Sequence, residues 1–174
     1  MNFSKYSLYS KNQVVYDLYN KFLYLNFYDL PKILNIKISI SSLKYKKKKL
    51  LIYILALFLA LNQKPLLSIT KTKSSSYKLK YVTLDLNKSN FFFFLDNFIH
   101  IYFSQFKNLK KLNNSFFQYG NLNYRLFNLS ILVDETILKL INFRFNFNIR
   151  FLSNTKNIFI SKVLFNLYLF PILF

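Results

Sequence analysis

Apolar and polar positions alternate along this chain in two different periods, and each period predicts a kind of element. Val14, Leu18, Phe22 and Leu25 recur at helical spacing. Ser10-Lys11-Asn12-Gln13 precedes them as a capping-box pattern, in which the Ser oxygen and the Gln side chain serve free amides. That helix should end by Asp29-Leu30-Pro31, because the residue before a proline is pushed to extended geometry. Residues Ile33 to Ser42 then read as a strand, with Ile36, Ile38 and Ile40 alternating with Lys37 and Ser39. Lys44 to Leu61 reads as a helix, basic at its start and apolar through its body. Leu66 to Ile69 and Lys78 to Leu86 look extended, with the polar stretch Thr70 to Ser76 between them.

Ser89 or Asn90 can cap a third helix, with Phe91, Phe94, Leu95, Phe98, Ile101 and Tyr102 on one side. Lys107 to Asn123 reads as irregular, and Leu129, Ile131 and Val133 alternate with Ser130. The cleanest strand runs from Phe143 to Phe151. Phe143, Phe145, Phe147, Ile149 and Phe151 share one face; Arg144, Asn146, Asn148 and Arg150 share the other. Such alternation means a sheet with one buried and one wet face. Asn157 caps a last helix through Phe165, stopped before Pro171. The order predicts an α+β fold of two layers, a mainly antiparallel sheet with helices packed on one face. Neither a repeat nor a linker interrupts it, so residues 1–174 are expected to form a single domain.

Composition qualifies the hydropathy. Lys, Asn, Phe, Ile and Tyr supply 95 of the 174 residues. All five are coded by triplets with A or T in the first two positions. Arg, Ala and Gly, with G- and C-richer codons, number 3, 2 and 1. This looks like a gene drifting in an AT-rich organelle genome, so part of the apolar content is a mutational signature. The longest apolar run, Leu50 to Leu61, has 12 residues, whereas a bilayer span needs ~20. No membrane span is therefore expected. A small organelle-encoded membrane subunit, using residues 50–61 and 158–174, is the alternative reading.

Charge and missing residue types narrow the chemistry. The net charge is +19, which points to a polyanionic partner such as nucleic acid. With Cys absent, thiolate metal sites and Cys nucleophiles are excluded. A single Gly and a single His leave no Gly-rich phosphate loop and no His-rich zinc site. Asp96 and His100 can meet on one helical turn, but no nucleophile or oxyanion site accompanies them. Asp134 and Glu135 are adjacent on a strand and face opposite ways, which does not make a metal site. No enzyme activity, cofactor or metal is expected.

Several short strings, in the same order along the chain, resemble the family of the universal large-subunit ribosomal protein number five. Leu61-Asn62-Gln63-Lys64-Pro65 stands where the family has Gly-Gln-Lys-Pro, and Leu66 to Ser74 follows as a strand leading into a basic, Ser-containing segment. Tyr9 to Val15 resembles the family's opening helix, and Leu30-Pro31-Lys32-Ile33 resembles its Val-Pro-Arg-Val before the first strand. Val82-Thr83-Leu84, Asn123-Tyr124, Ile131 to Glu135, Phe147-Asn148-Ile149 and Phe170-Pro171-Ile172 continue the series. The chain departs from the family at Ser39, Ser41 and Leu43, where the family has an Asn and two glycines. A Gly/Pro-containing loop before Tyr81 is also missing.

The resemblance implies a structural constituent of the mitochondrial large ribosomal subunit, in the matrix. It would bind rRNA at the central protuberance, including 5S rRNA where the organelle has one, and neighbouring mitoribosomal proteins. It also implies proximity to P-site tRNA and to a protein of the small-subunit head. A general RNA-binding factor outside the ribosome is a third reading.

The candidate RNA contacts are basic clusters. Lys71, Lys73, Lys78 and Lys80, with Ser74 among the hydroxyls between them, form a segment without acids that suits phosphate oxygens. In the family this is the loop near the tRNA elbow, here shortened. Lys44, Lys46, Lys47, Lys48 and Lys49 form the densest cluster. Arg144 and Arg150 occupy the polar face of the last long strand, where paired guanidinium donors suit phosphate. Arg125 follows Tyr124, a pairing that suits unpaired bases.

Overall fold

The computed structural model describes residues 5–41, 51, 54–55, 57–58, 61, 63–71, 77–86, 88–103, 116–126 and 147–172. Six strands form one sheet in the order β2-β3-β1-β6-β5-β4. They are β1 (Ile33–Ser41), β2 (Leu66–Lys71), β3 (Tyr77–Asp85), β4 (Phe117–Gln118), β5 (Asn121–Leu126) and β6 (Phe147–Ser153). β1 with β3, β2 with β3 and β4 with β5 pair antiparallel. The helices are α1 (Lys5–Tyr9), α2 (Val15–Phe22), α3 (Lys88–Asn97) and α4 (Ile158–Leu167). Residues 51, 54, 55, 57, 58 and 61 are also helical. The fold is α+β. The chain divides into two compact units: unit 1 is Met1–Ile36, Asn87–Asn123 and Phe151–Phe174, and unit 2 is Lys37–Leu86 and Tyr124–Arg150.

Unit 1 is built around aromatic rings. Phe151 of β6 meets Phe98 at the end of α3 (ring centroids 5.5 Å), Phe165 of α4 (6.1 Å) and Phe170 (5.2 Å). These four rings are fully buried, and their tilted and edge-to-face geometry is the one aromatic quadrupoles favour. Residues from two helices thus cover the same strand residue. Phe91, Phe94 and Leu95 on α3, and Phe98 at the start of the π-helical segment Phe98–Phe103 that continues it, are buried at the expected helical spacing. α4 starts at the predicted cap, where Asn157 Oδ1 accepts from Phe159 N at 2.9 Å. Tyr168 is buried beside it, and burial pushes its phenol up to about 12, against the lowering effect of a hydrogen bond with Ser10.

The N-terminal helix differs from its predicted form. Helical backbone begins at Lys5, so Ser10 lies inside it and cannot cap. Its Oγ instead donates to Ser7 O at 2.9 Å. A π-helical turn over Ser10–Val14 joins α1 to α2. α2 stops at Phe22 because Leu23 adopts a left-handed conformation, φ 49°, with its N–H on Tyr19 O. Val14 and Leu18 are buried as expected, whereas Leu25 falls beyond this stop and is 97% exposed.

The stretch read as irregular also holds regular structure. β4 and β5 form a hairpin around Tyr119-Gly120, at φ 50° and 78°. Two positive φ values in a two-residue loop match the right-handed strand twist. The chain's single glycine is needed there: a Cβ on Gly120 would stand 1.8 Å from Thr155 O. Ser153 Oγ donates to Gly120 O at 2.8 Å, and Asn121 Oδ1 accepts from Ser153 N at 3.0 Å.

In unit 2, β1 and β3 place Ile38 opposite Leu84 and Ile40 opposite Val82, all four buried. Lys37 pairs with Asp85 on the other face, Nζ to Oδ1 3.6 Å. Gln63 Nε2 donates to Asp85 O. The apolar run from residue 50 is not uniformly buried. Leu57 and Leu61 are inside, whereas Leu51, Leu55 and Phe58 are 65%, 57% and 38% exposed. Among the described residues, no helix is long and apolar enough to cross a membrane.

Candidate nucleic-acid interface

The two units divide the charge unequally. Unit 2 holds 15 of the 25 basic residues and 3 of the 6 acids, a net +12 on 77 residues. Unit 1 holds a net +7 on 97 residues. Within Lys37–Leu86 the one acid is Asp85, and it is engaged by Lys37. That leaves an excess of cations on a small body, the electrostatic footprint that condensed phosphates attract.

β2 and β3 present part of this excess on one hairpin. Their ladder runs from Leu66 opposite Thr83 to Lys71 opposite Tyr77. It carries Lys71 at the end of β2 and Lys78 and Lys80 on β3. The register shifts between Ser68 and Ile69: Ser68 faces Tyr81 but Ile69 faces Leu79, so Lys80 is the extra residue of a β-bulge. A bulge resets the two-residue alternation. Past it, Lys78 falls opposite Thr70, and Leu79 opposite Ile69. The alternation of Val82 and Leu84 would otherwise run straight on to Lys80 and Lys78. The side chains of Lys71, Lys78 and Lys80 lie outside the described part of the structure, as do residues Lys73 and Ser74.

β5 and β6 bring a second group together. Asn148 and Arg150 are exposed on β6, and Ile149 between them is fully buried, which is the predicted register of that strand. The described strand begins at Phe147, whose side chain, with residues 143–146 including Arg144, lies outside the described residues. Arg125, exposed on β5, donates through Nε to Asn148 Oδ1 at 3.2 Å. This bond orients the guanidinium and uses Nε, so the terminal Nη donors are those a phosphate would meet. The pairing of Arg125 with Asn148 was not read from the sequence. Its signal is weak, since it requires knowing that β5 lies beside β6.

Lys44, Lys46, Lys47, Lys48 and Lys49 lie outside the described residues, as do Leu129 to Glu135. His100 Nε2 stands 3.4 Å from Asp96 Oδ1 on an exposed turn. Among the described residues no cluster of three acidic or imidazole side chains could hold a metal. No protein-family model and no curated protein matches this sequence.

Proposed function

We propose that this chain is a non-enzymatic structural constituent of the mitochondrial large ribosomal subunit, binding rRNA at the central protuberance near the P-site tRNA. The observation that carries the reading is the concentration of +12 on the 77 residues of unit 2. The ordered resemblance to the ribosomal family supplies the address. Lys71, Lys73, Ser74, Lys78 and Lys80 are the proposed contacts of the hairpin arm, and Lys44 and Lys46 to Lys49 those of the preceding basic run. Arg125, Arg144 and Arg150 are proposed to serve on the β5–β6 side. Binding to RNA would add stability to the fold by mass action.

The test is a cryo-EM map of the mitochondrial ribosome, together with sedimentation of the tagged chain. Co-sedimentation with the large subunit at moderate salt, and density at the protuberance, are expected. Retention in membranes after salt extraction overturns the reading. The hairpin arm lacks about seven residues relative to the family's loop. At ~3.5 Å per residue out and back, its reach falls by on the order of 10 Å. Direct hydrogen bonds from this arm to tRNA are therefore not expected.

A further inference from the structure

Arg125, Asn148 and Arg150 are exposed on neighbouring strands within unit 2. Asn148 Oδ1 accepts from Arg125 Nε at 3.2 Å, and the fully buried Ile149 anchors β6 from its other face. An amide oxygen on Nε closes the side-on fork made of Nε and one Nη. The end-on fork of the two Nη groups stays open, and among the described residues nothing engages it. Asn148 is uncharged, so it fixes the plane of the guanidinium without neutralising it. The result is a planar pair of donors held at a set angle on a sheet, rather than a charge swinging on a flexible stem.

Composition says what such a fork is for. Of the 25 cations, 22 are lysine, and the three arginines all fall within residues 125–150, a stretch with a single lysine, Lys139. Elsewhere the chain meets every need for positive charge with lysine. A phosphate is served by lysine as a point charge. An acceptor pair lying in one plane is not, because it needs two parallel donors at a fixed spacing. In RNA that pair is the O6 and N7 edge of guanine, to which arginine donates twice. Paired guanine hides this edge in the deep, narrow major groove of the A-form helix, so a sheet face reaches it only on an unpaired base.

We infer that the β5–β6 face reads the O6 and N7 edge of an unpaired guanine in RNA through the terminal fork of Arg125, and that Asn148 is the residue that positions this fork. The inference rests on the reading of this chain as an RNA binder and adds to it a base preference, which phosphate contacts do not supply. Asn148 acts through Arg125: without its amide oxygen the charge of the site is unchanged, but the fork is free to turn. Arg150, two residues further along the same face of β6, adds positive charge beside the base.

The test uses the full-length chain and fluorescein-labelled single-stranded RNA dodecamers at moderate salt. One is all uridine; the others carry guanosine, inosine or 7-deazaguanosine at the centre. Fluorescence anisotropy should show the guanosine RNA bound about tenfold tighter than the uridine RNA. Inosine keeps O6 and N7 and should match guanosine, whereas 7-deazaguanosine lacks N7 and should lose most of the gain. Arg125→Lys keeps the charge and should erase the preference while leaving the uridine RNA bound as before. Asn148→Leu should cut the preference to about threefold or less. Asn148→Asp keeps the acceptor and should restore the ratio, even as its charge weakens both RNAs. Binding of the uridine RNA, with circular dichroism, reports that each variant is folded. Equal binding of guanosine and uridine RNA by the parent overturns the inference and leaves the RNA reading standing; binding of neither overturns both. A preference that survives Arg125→Lys or Asn148→Leu overturns it as well. If the parent shows no preference and Arg125→Gln lowers the log-log salt slope by about one, the fork holds a phosphate instead.

Discussion

Seventeen of the 22 phenylalanines fall in unit 1, whereas unit 2 carries +12 of the net +19 on fewer residues. Unit 1 closes three fully buried rings around a fourth, Phe151. Unit 2 buries aliphatic pairs such as Ile38 with Leu84. It leaves Leu51, Leu55 and Phe58 in solvent. The contrast teaches that one biased composition can be put to two uses. Ring packing resists change in shape, because a removed ring leaves a void its neighbours fill only in part. Surface lysine tolerates change in identity but not in sign, because its effect is carried by the summed field.

The sharpest way to break this comparison is to remove its central ring. Phe151→Ala should cost ~3–5 kcal/mol, read as a fall in urea midpoint at constant slope. A loss below ~1 kcal/mol would mean that the ring cluster does not hold unit 1 together. Next comes the hairpin turn. Gly120→Ala adds a Cβ at positive φ against Thr155 O and should cost ~2–4 kcal/mol. Gly120→Asn, which tolerates the left-handed backbone better, meets the same carbonyl and should give no rescue.

A pH arm tests burial in unit 1 without altering volume. The Tyr168 phenol is raised from 10.0 to about 12, burial being the main cause, so the fold favours its neutral form. Its contribution is complete below pH ~10 and is lost as pH climbs through about 12, up to roughly 2–3 kcal/mol. Tyr168→Phe should flatten the stability–pH curve over that window; an unchanged curve would place the phenol in water.

The smallest effect on stability, and the largest on binding, belongs to unit 2. Replacing Lys71, Lys73, Lys78 and Lys80 by Gln should shift stability by no more than ~0.5 kcal/mol. If all four touch phosphate, the log-log salt slope of RNA binding should fall by roughly 3 to 4. An unchanged slope would make the arm ordinary solvated surface.

What could be read from the sequence followed the strength of the local period. β1, β2, β3, the buried face of α3, the Asn157 cap and the Asn148–Arg150 alternation all declare themselves within a few residues. The pieces that escaped depend on distant partners. The β4–β5 hairpin hid in an Asn- and Lys-rich stretch because one Tyr-Gly dipeptide is its whole signal. The Ser10 box looked like a helix start only because nothing local shows that helical backbone already begins at Lys5. Leu25 kept its helical spacing, but the left-handed Leu23 ended the helix before it. Of the candidate site, the lysines were legible as charge. The bulge at Lys80 and the Arg125–Asn148 bond were not, because register across strands is not written in either strand alone.

Lys32 and Asn154 are joined by two hydrogen bonds, Lys32 N to Asn154 Oδ1 at 2.8 Å and Asn154 N to Lys32 O at 3.2 Å, across 122 residues of chain. They stand at the seam where β1 lies beside β6. This seam gives the chain a high contact order, and such topologies fold slowly. On a translating ribosome β1 emerges early and can pair with β3, but its other edge waits for a strand near the C-terminus. At ~5–20 residues per second the wait lasts on the order of ten seconds. For that interval a central strand of isoleucines stands with one edge open, a template for pairing with another nascent chain. The half-made protein is therefore more dependent on a chaperone than the finished one, and truncations just short of residue 147 should aggregate rather than fold.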